Sequence, residues 1–430
     1  MYLQQSVERV GISQDKENIL IYRNKFLSLV LLIFLISLSG CSNSGIEQAA
    51  PNDQQLNHKN LHLSLIADRG GSIVITENGE LWVWGHFHGG DEWCTWCGTD
   101  SARFHANPVK IMGDVVAVSV GEVNYTMVIS TDGSLWGWGN NEWGQLGDGT
   151  TIDRDYPIRI MDDVVAVSAG GTHTMAIRTD GSLWGWGIDR YMESIDGITI
   201  DWHYPIKIMD DVIAVSAGRD FTLAIKTDGS LWSWGVNHLG QLGDGSVEAR
   251  MHPARIMDDV VAICAFGDFA RAIRADGSIW TWGDNFFNQL GDGTRVKFSP
   301  YPVEIMDDVV AVSTGNSHTL AIRADGSLWG WGDNTWGQIG DGCRFSFLEM
   351  ADNILQLPDG YNEDVLRRPT PVKIMDDVYS VSAGVYHSLA ITTDGALLAW
   401  GGNHAGQLGD GATINSSTHR LITVLDLLKH

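Results

Sequence analysis

A repeated five-residue unit, Leu-Trp-x-Trp-Gly, constrains the fold of this chain more than any other feature. Copies follow one another mostly at intervals of 48 or 49 residues, and the last copy, at 397–401, is degraded. A length of 430 residues alone would suggest two or three domains, but a repeat of this period indicates one array of similar units. The second tryptophan of the unit lies at Trp84, Trp138, Trp186, Trp234, Trp282, Trp331 and Trp400.

Each unit reads as four short strands. In the third unit we predict strands at 164–169, 174–178 and 183–187, and a strand at 156–161 that closes the preceding unit. Asp180 and Gly181 join the second strand to the third, because Asp-Gly between apolar runs favours a tight hairpin turn. The same junction recurs at Asn78-Gly79, Asp132-Gly133, Asp228-Gly229, Asp276-Gly277, Asp325-Gly326 and Asp394-Gly395.

Seven such units with no helical pattern between them predict an all-β fold, a seven-bladed β-propeller of four-stranded antiparallel blades. An open β-solenoid is the structural alternative. Thirteen of the 18 tryptophans lie in the repeated strands, where we expect them to form the core. Trp136 and Trp138 share one face, so Gly137 on the other face would leave room for a large ring from the neighbouring sheet.

The amino terminus has the pattern of an export signal. Arg23 and Lys25 precede a 13-residue apolar run at 26–38, which is shorter than the roughly 20 residues of a membrane-spanning helix. Leu38 to Cys41 resemble a bacterial lipobox, so Cys41 is the predicted site of lipidation; an ordinary signal peptide is the alternative. The expected organisation is a signal peptide at 1–41, a polar tether at 42–61 and the propeller at 62–430.

Composition argues against polyanionic partners. With 53 acidic and 28 basic residues the formal net charge is -25, so the chain repels nucleic acid and anionic membrane surfaces. We therefore expect a protein partner, no nucleic acid, membrane contact only through the lipid anchor, and a monomer.

Three segments carry a family resemblance. Gly170 to Thr174, Asp180 to Trp184 and Gly144 to Gly149 resemble the repeat of the regulator-of-chromosome-condensation family. Single units depart from it, since Gly71 and Phe221 replace the histidine of the third unit and Phe266 replaces a glycine. The resemblance implies the propeller. It also suggests three functions: a secreted bacterial inhibitor of β-lactamase, guanine-nucleotide exchange on a small GTPase, and docking on chromatin; export and charge oppose the last two.

Strand parity divides the connections between two rims. The first rim carries the Asp-Gly turns and the Met-Asp-Asp-Val links between units, which together form a ring of carboxylates. This ring would attract a basic partner or cations, but solvated turn residues copied with the repeat are the favoured explanation. The links contain Asp162-Asp163, Asp210-Asp211, Asp258-Asp259, Asp307-Asp308 and Asp376-Asp377.

The opposite rim, here called the loop rim, carries the long connections between third and fourth strands, where the units stop resembling one another. Aromatic residues in such loops favour partner binding, because they dominate interface hot spots. The alternative is that they pack back over the blades. The loop between Gly342 and Pro371 is the longest, and either caps the channel or adds to a partner site. The candidate partner-binding residues are Trp93, Trp96, Trp143, Tyr191, Trp202, Phe286, Phe287 and Trp336.

Metal and catalytic chemistry have weaker support. His86, His88, Cys94 and Cys97 form a possible zinc set, but outside the cytoplasm an oxidised cysteine pair or unreacted thiols are favoured, so we predict neither metal nor cofactor. Cys264 reads as a core residue. His173, His318 and His387 recur at one repeat position and are expected to satisfy the backbone of the first turn. The leading hypothesis is a protein-binding module without catalysis; a carbohydrate-active propeller enzyme is a third class.

Overall fold

The chain is organised as seven consecutive four-stranded antiparallel sheets. The computed structural model describes residues 64–67, 70–76, 78–86, 105–187, 194–195, 198–199, 202–342 and 366–421. Within these ranges the regular structure is entirely β, and no helix there has the length and apolarity to cross a bilayer. Each sheet uses four strands in chain order, so each is an independent blade. The predicted all-β, seven-bladed propeller is confirmed.

The strands take equivalent positions in every blade. The first strands are β1 Ser64–Ala67, β5 Val115–Gly121, β9 Val164–Ala169, β15 Val212–Ala217, β19 Val260–Phe266, β23 Val309–Thr314 and β27 Val378–Ala383. The second strands are β2 Gly70–Ile75, β6 Tyr125–Ser130, β10 His173–Arg178, β16 Phe221–Lys226, β20 Phe269–Arg274, β24 His318–Arg323 and β28 His387–Thr392.

The third strands carry the tryptophans and the fourth strands form the outer edges. The third strands are β3 Leu81–His86, β7 Leu135–Gly139, β11 Leu183–Gly187, β17 Leu231–Gly235, β21 Ile279–Asp284, β25 Leu328–Asp333 and β29 Leu397–Gly401. The fourth strands are β4 His105–Met112, β8 Arg154–Met161, β14 Ile206–Met209, β18 Arg250–Met257, β22 Phe298–Met306, β26 Arg367–Met375 and β30 Ser416–Leu421. A two-stranded hairpin, β12 Ser194–Ile195 and β13 Ile198–Thr199, interrupts the third blade.

The seven blades close into a ring. First strands of neighbouring blades contact one another from the second blade to the seventh, β2 of the first blade contacts β5, and β1 of the first blade contacts β27 of the last. Across this closure the Trp84 Nε1 donates to the Gln407 carbonyl oxygen at 3.0 Å. Val74 and Trp84 also share a buried cluster with Leu389 and Leu397 of the seventh blade. The open solenoid is therefore wrong.

The second tryptophan of each unit holds adjacent blades together. Apart from the half-buried Trp138, this side chain is at most 1% exposed. Trp186 Nε1 donates to the Gln145 carbonyl of the preceding blade at 2.9 Å, and the same bond recurs in four other blades. The first tryptophan is only half-buried, and its Nε1 reaches the Asp-Gly turn, as from Trp184 to the Ser182 hydroxyl at 2.9 Å. Apart from Trp138, the second ring is therefore fully buried in the core, whereas the first ring is not.

The spacer glycine between the tryptophans serves a different neighbour from the one expected. A Cβ built on Gly137 would lie 2.9 Å from the Met127 sulfur and 3.4 Å from a Leu146 methyl, both in the same blade. The ring of the next blade instead packs on a loop glycine, because a Cβ on Gly147 would lie 2.6 Å from Trp186 Nε1. The prediction that Gly137 makes room for a neighbouring ring is therefore wrong.

The repeated histidines join blades rather than bonding the first turn. His173 Nε2 lies 3.0 Å from the Thr222 hydroxyl of the next blade, and His318 Nε2 lies 2.9 Å from that of Ser388. Their Nδ1 atoms are buried with no hydrogen-bond partner among the described atoms. Burial lowers the pKa of His173 to about 4 and that of His318 to about 3. The structural role is confirmed, but the expected bond to the turn backbone is wrong.

The link carboxylates of the first rim are turn residues, and most of them have basic partners. Asp163 adopts a φ of 59°, a conformation that Asp tolerates better than most side chains. Its carboxylate pairs with Arg178 at 2.9 Å, and its carbonyl accepts from the Thr179 amide at 2.8 Å. In the same link Asp162 pairs with Arg159. Ion pairs of this kind recur in other links, and they favour the turn explanation over a cation-binding ring.

Candidate functional site: the loop rim

Five loops on the loop rim share one buried frame. In the second blade the Asn141 Oδ1 accepts from the Leu146 amide at 2.9 Å, and its Nδ2 donates to Asp148 at 3.1 Å and to the Thr150 carbonyl at 3.0 Å. This asparagine fixes both ends of the loop because it bonds residues five and nine positions later. The equivalent residues, all at most 3% exposed, are Asn141, Asn237, Asn285, Asn334 and Asn403.

A buried glutamine completes the frame from the other side. Gln145 Oε1 accepts from the Trp143 amide at 2.9 Å, and the equivalent bond forms in the other four loops. The fourth-strand Arg154 also pairs with Asp148. Burial opposes ionisation of Asp148, but hydrogen bonds from Thr150 and Arg154 outweigh burial and hold its pKa below the usual value. The asparagine and glutamine bonds recur in each loop. The backbone conformation of the loop therefore does not depend on the residues between the frame contacts.

Two residues stand between the framing asparagine and the next turn, and they differ in every blade. We call these pairs the tips. The first member of each pair is exposed except in the sixth blade, where Thr335 is half-buried like the second members. A constant frame with variable tips presents five different side-chain pairs on a rigid scaffold, which is the arrangement of a recognition surface. The tips are Glu142-Trp143, His238-Leu239, Phe286-Phe287, Thr335-Trp336 and His404-Ala405.

Three rings from the sixth and seventh blades form one aromatic cluster. The Trp336 ring centroid lies 5.8 Å from that of Tyr386 and 5.4 Å from that of His404. Tyr386 belongs to the turn between β27 and β28, and its ring lies 6.1 Å from His404. Tyr386 and His404 are exposed, and Trp336 is half-buried. The cluster therefore combines two exposed rings with one half-buried ring.

A second cluster lies at the tip of the fifth blade. The Phe286 and Phe287 rings meet edge to face at 5.2 Å, and Phe286 is 53% exposed. Lys297 Nζ lies 6.0 Å from the Phe286 centroid, and Arg367 Cζ lies 5.2 Å from that of Phe287. Arg367 also donates to the Phe286 carbonyl at 3.2 Å. This tip therefore combines apolar rings with two cations.

Ionic contacts cross the central channel at the loop rim. Glu122 of the second blade accepts from the Gly267 amide of the fifth blade at 2.8 Å and from Arg219 Nε of the fourth at 3.2 Å. Arg219 also contacts Asp268 at 2.7 Å. Burial disfavours the Arg219 charge, but the carboxylates of Glu122 and Asp268 outweigh burial and raise its pKa. Because these contacts span the channel mouth, a partner would meet the surrounding tips rather than a deep pore.

The structure places the predicted partner-binding residues in two kinds of environment. Trp143, Phe286, Phe287 and Trp336 are all tip residues, as the binding hypothesis requires. Trp202 is the exception: it is 7% exposed and packs in a core cluster of the third and fourth blades, so it is unavailable to a partner. The physical reason lies in the sequence of the third unit, which lacks the Gly-Gln-Leu-Gly-Asp-Gly motif of the framed loops; here the Trp202 carbonyl accepts from the Gly187 amide at 2.7 Å.

Several predictions fall outside the described residues. These are the partner-binding residues Trp93, Trp96 and Tyr191, the lipidation site Cys41, and most of the loop between Gly342 and Pro371. Three members of the possible zinc set, His88, Cys94 and Cys97, also lie there. In the part of the chain that the structure describes, no three metal-ligating side chains come together. Cys264 is 1% exposed, as a core residue should be, and it is disulfide-bonded.

Sequence reasoning missed Tyr386, His404, Lys297 and Arg367. His404 could have been found, because it directly follows a framing asparagine, as Phe286 does. Tyr386 and Arg367 lie in a different loop or strand from the tip that they contact, and Lys297 lies at the far end of the same loop as Phe286; no spacing in the chain reveals these contacts. The hydroxyl-bonded histidines resemble parts of a catalytic pair, but His318 and Ser388 are both fully buried, so no substrate can reach them.

The fold and this rim define a class of protein: a seven-bladed β-propeller whose repeated blades present variable loops. Residues 162–429 match the RCC1-like domain, and residues 132–177 and 115–145 match the regulator of chromosome condensation (RCC1) repeat. The chain therefore belongs to the RCC1-like family.

Solved structures agree on the fold. Prp20p from Saccharomyces cerevisiae, described with its binding to Gsp1p and histones, gives a TM-score of 0.66 at 20% identity, covering 86% of this chain and 90% of that one. Human WBSCR16 gives 0.65 at 21% identity, covering 80% and 95%. Among curated proteins, the ultraviolet-B receptor UVR8 of Arabidopsis thaliana is 30% identical over 109 residues, which is 24% of each chain. The matched segment therefore spans about a quarter of that receptor.

Proposed function

We propose that this protein is an exported, lipid-anchored scaffold that binds a protein partner through the tips of its loop rim. One observation carries the proposal: five loops with the same buried frame present five different residue pairs, and three of them contain Trp or Phe. Repetition alone explains the frame, but it does not explain why the tip pairs differ from loop to loop or why Trp or Phe occurs in three of them. Rigid aromatic side chains bury much area at small entropic cost, as an interface requires.

The rest of the molecule supports the same rim. On the first rim most link carboxylates pair with arginine or lysine side chains, and the carboxylates of the Asp-Gly turns accept hydrogen bonds within their own turns, as Asp180 does from the Ser182 amide at 2.9 Å, so both sets are engaged in the fold. The channel mouth is spanned by Glu122, Arg219 and Asp268. The described histidines of the repeat are buried against hydroxyls and not arranged for chemistry. We propose binding without catalysis and without a cofactor.

Export and anchoring rest on the amino-terminal pattern ending at Cys41. The disulfide at Cys264 supports an oxidising compartment, because disulfides persist mainly outside the reducing cytosol. The solved yeast relative is described with protein partners, which is consistent with a protein ligand here, although its 20% identity carries the fold alone. Radiolabelled palmitate should enter the full chain and not a Cys41→Ala variant; labelling of both would refute the anchor.

The binding proposal is tested by affinity capture from envelope extract of the producing cells, with the full chain as bait. Trp143→Ala and Trp336→Ala remove two tip rings without touching the frame side chains. A matched control replaces two half-buried tryptophans on the other rim, Trp184→Phe and Trp232→Phe. We expect the tip variants to lose a protein that wild type and control retain. Equal recovery by all three would refute a role for the tips.

A further inference from the structure

Charge pairing singles out one tip of the loop rim. Almost every lysine and arginine that the structure describes lies within 4.0 Å of a carboxylate. Arg295 has an interaction partner of its own, and Arg271 is buried inside the fifth blade. The remaining two, Lys297 and Arg367, have no carboxylate partner among the described residues. In a chain of net charge -25, two cations on one tip that have no carboxylate partner among the described residues require an explanation.

Both cations lie beside the Phe286-Phe287 tip. The rings approach them at 6.0 Å and 5.2 Å, distances at which a cation is attracted to a ring. Lys297 is exposed, and Val296 and Phe298 beside it are 56% and 37% exposed. Apolar side chains therefore surround the two positive charges. We call the surface formed by Phe286, Phe287, Val296, Lys297, Phe298 and Arg367 the blade-five patch.

Resting on the proposed function, we propose that the blade-five patch binds an acidic segment of the protein partner, with Asp or Glu carboxylates meeting Lys297 and Arg367 and an adjacent apolar side chain meeting Phe286. A guanidinium matches a carboxylate in geometry, and exposed rings match apolar side chains. An extended polyanion fits poorly, because it needs a line of cations, and the carboxylates of the remaining surface repel it.

The test is selection of a random dodecapeptide phage library against the immobilised full chain. Wild type should enrich peptides with Asp or Glu next to an aromatic or aliphatic residue. Lys297→Gln with Arg367→Gln should abolish the acidic enrichment. The matched control, Lys207→Gln with Arg255→Gln, removes the same number of charges from the first rim and should leave it intact. Lys297→Gln alone serves as a folding control, since the Lys297 side chain is exposed and has no carboxylate partner among the described residues.

The most enriched peptide is then synthesised and titrated. We expect its Kd to weaken at least about tenfold in Lys297→Gln/Arg367→Gln and at high salt, as for a charge-assisted contact. Wild-type selection without acidic excess, or equal selection by the patch variant, would overturn the inference. Binding of a single-stranded oligonucleotide that depends on Lys297 and competes with the peptide would also overturn it.

These outcomes remain separate from the proposed function. Affinity capture that depends on Trp143 and Trp336 would stand even if the blade-five patch showed no acidic preference. If the tip variants lose capture and no acidic preference is found, the proposal that the tips bind a protein stands, and only the assignment of an acidic partner segment is refuted. If acidic peptides are still selected but capture is unchanged in the Trp143 and Trp336 variants, the proposal that the tips bind the protein partner is refuted instead.

Discussion

The Nε2 of His387 in the seventh blade lies 2.9 Å from the Ser72 hydroxyl of the first blade, so one buried side-chain pair joins the two ends of the ring. The Ser72 hydroxyl also donates to the Gln407 carbonyl at 2.9 Å. Equivalent pairs join the third blade to the fourth and the sixth to the seventh. Where Phe221 replaces the histidine, the next blade has Ala270 in place of a hydroxyl, so both partners change together.

These histidines make stability depend on pH. Burial lowers the pKa of His173 to about 4 and that of His318 and His387 to about 3, from 6.5. The unfolded chain therefore takes up protons first, so the stability they contribute is complete above about pH 6.5 and falls as pH drops toward 4. At pH 5 we expect a loss of about 2 kcal/mol for each histidine.

Urea unfolding between pH 7.5 and 5 measures this loss, in a window above the usual carboxylate range. His387→Gln should flatten part of the pH dependence, because it removes one of the three buried imidazoles. An unfolding free energy that does not change between these pH values would contradict the burial of neutral histidines.

The frame and the tips should differ in their effect on stability. Asn237 holds its loop through several buried hydrogen bonds, and Asn237→Ala should cost about 2 kcal/mol because their partners lose a donor or acceptor. The neighbouring tip variant His238→Ala should stay within about 0.5 kcal/mol of wild type. Chemical denaturation of both variants provides the measurement. Similar losses in the two would mean that the tip is part of the fold rather than a presented residue.

Most of the architecture follows from local chemistry. Asp180-Gly181 predicts its hairpin, and the predicted strand at 164–169 matches β9 residue for residue. Contacts between distant segments were less predictable. The space beside Gly137 is filled by Met127, and sequence alone does not show which of several neighbours fills a gap. Trp202 is buried in a unit whose sequence lacks the framed-loop motif, and the charge balance around Lys297 depends on which carboxylates the folded chain brings near it.

Arg271 should be dispensable, unlike other fully buried residues. It occupies a second-strand position that Met or Leu fills in other blades, such as Met127 and Leu223. Its guanidinium bonds the hydroxyls of Thr314 and Thr319, but its buried Nε has no partner among the described residues. Burial lowers its pKa well below the usual value. Replacing a buried charge by an apolar side chain is often neutral or stabilising.

We therefore expect Arg271→Leu to leave the unfolding free energy within about 1 kcal/mol of wild type or to raise it. Leu320→Ala, at the equivalent position of the sixth blade, should cost about 2 to 5 kcal/mol as an ordinary core truncation. Thermal and urea unfolding compare the two. A loss in Arg271→Leu as large as that of Leu320→Ala would show that the guanidinium bonds outweigh its desolvation.

Prolines guard the outer edges of the blades. Five fourth strands contain a proline four residues before their final methionine, and a sixth follows one; these are Pro108, Pro157, Pro205, Pro253, Pro302 and Pro371. A proline interrupts the row of amide donors through which edge strands associate. Pro157→Thr combined with Pro253→Thr should therefore raise aggregation while the melting temperature changes little. Light scattering checks this, with Thr418→Val in β30 as control; equal scattering in all would count against the guarding role.

Site-specific photo-crosslinking in the producing cells tests which rim of the propeller contacts the partner. A photoreactive phenylalanine analogue is placed at Phe286, Trp336 or Glu142 on the tips, and at Asp132, Asp180 or Asp228 on the first rim as controls. We expect a discrete crosslinked protein from the tip positions and none from the controls. Crosslinks to a protein from the first rim, with none from the tips, would contradict this expectation.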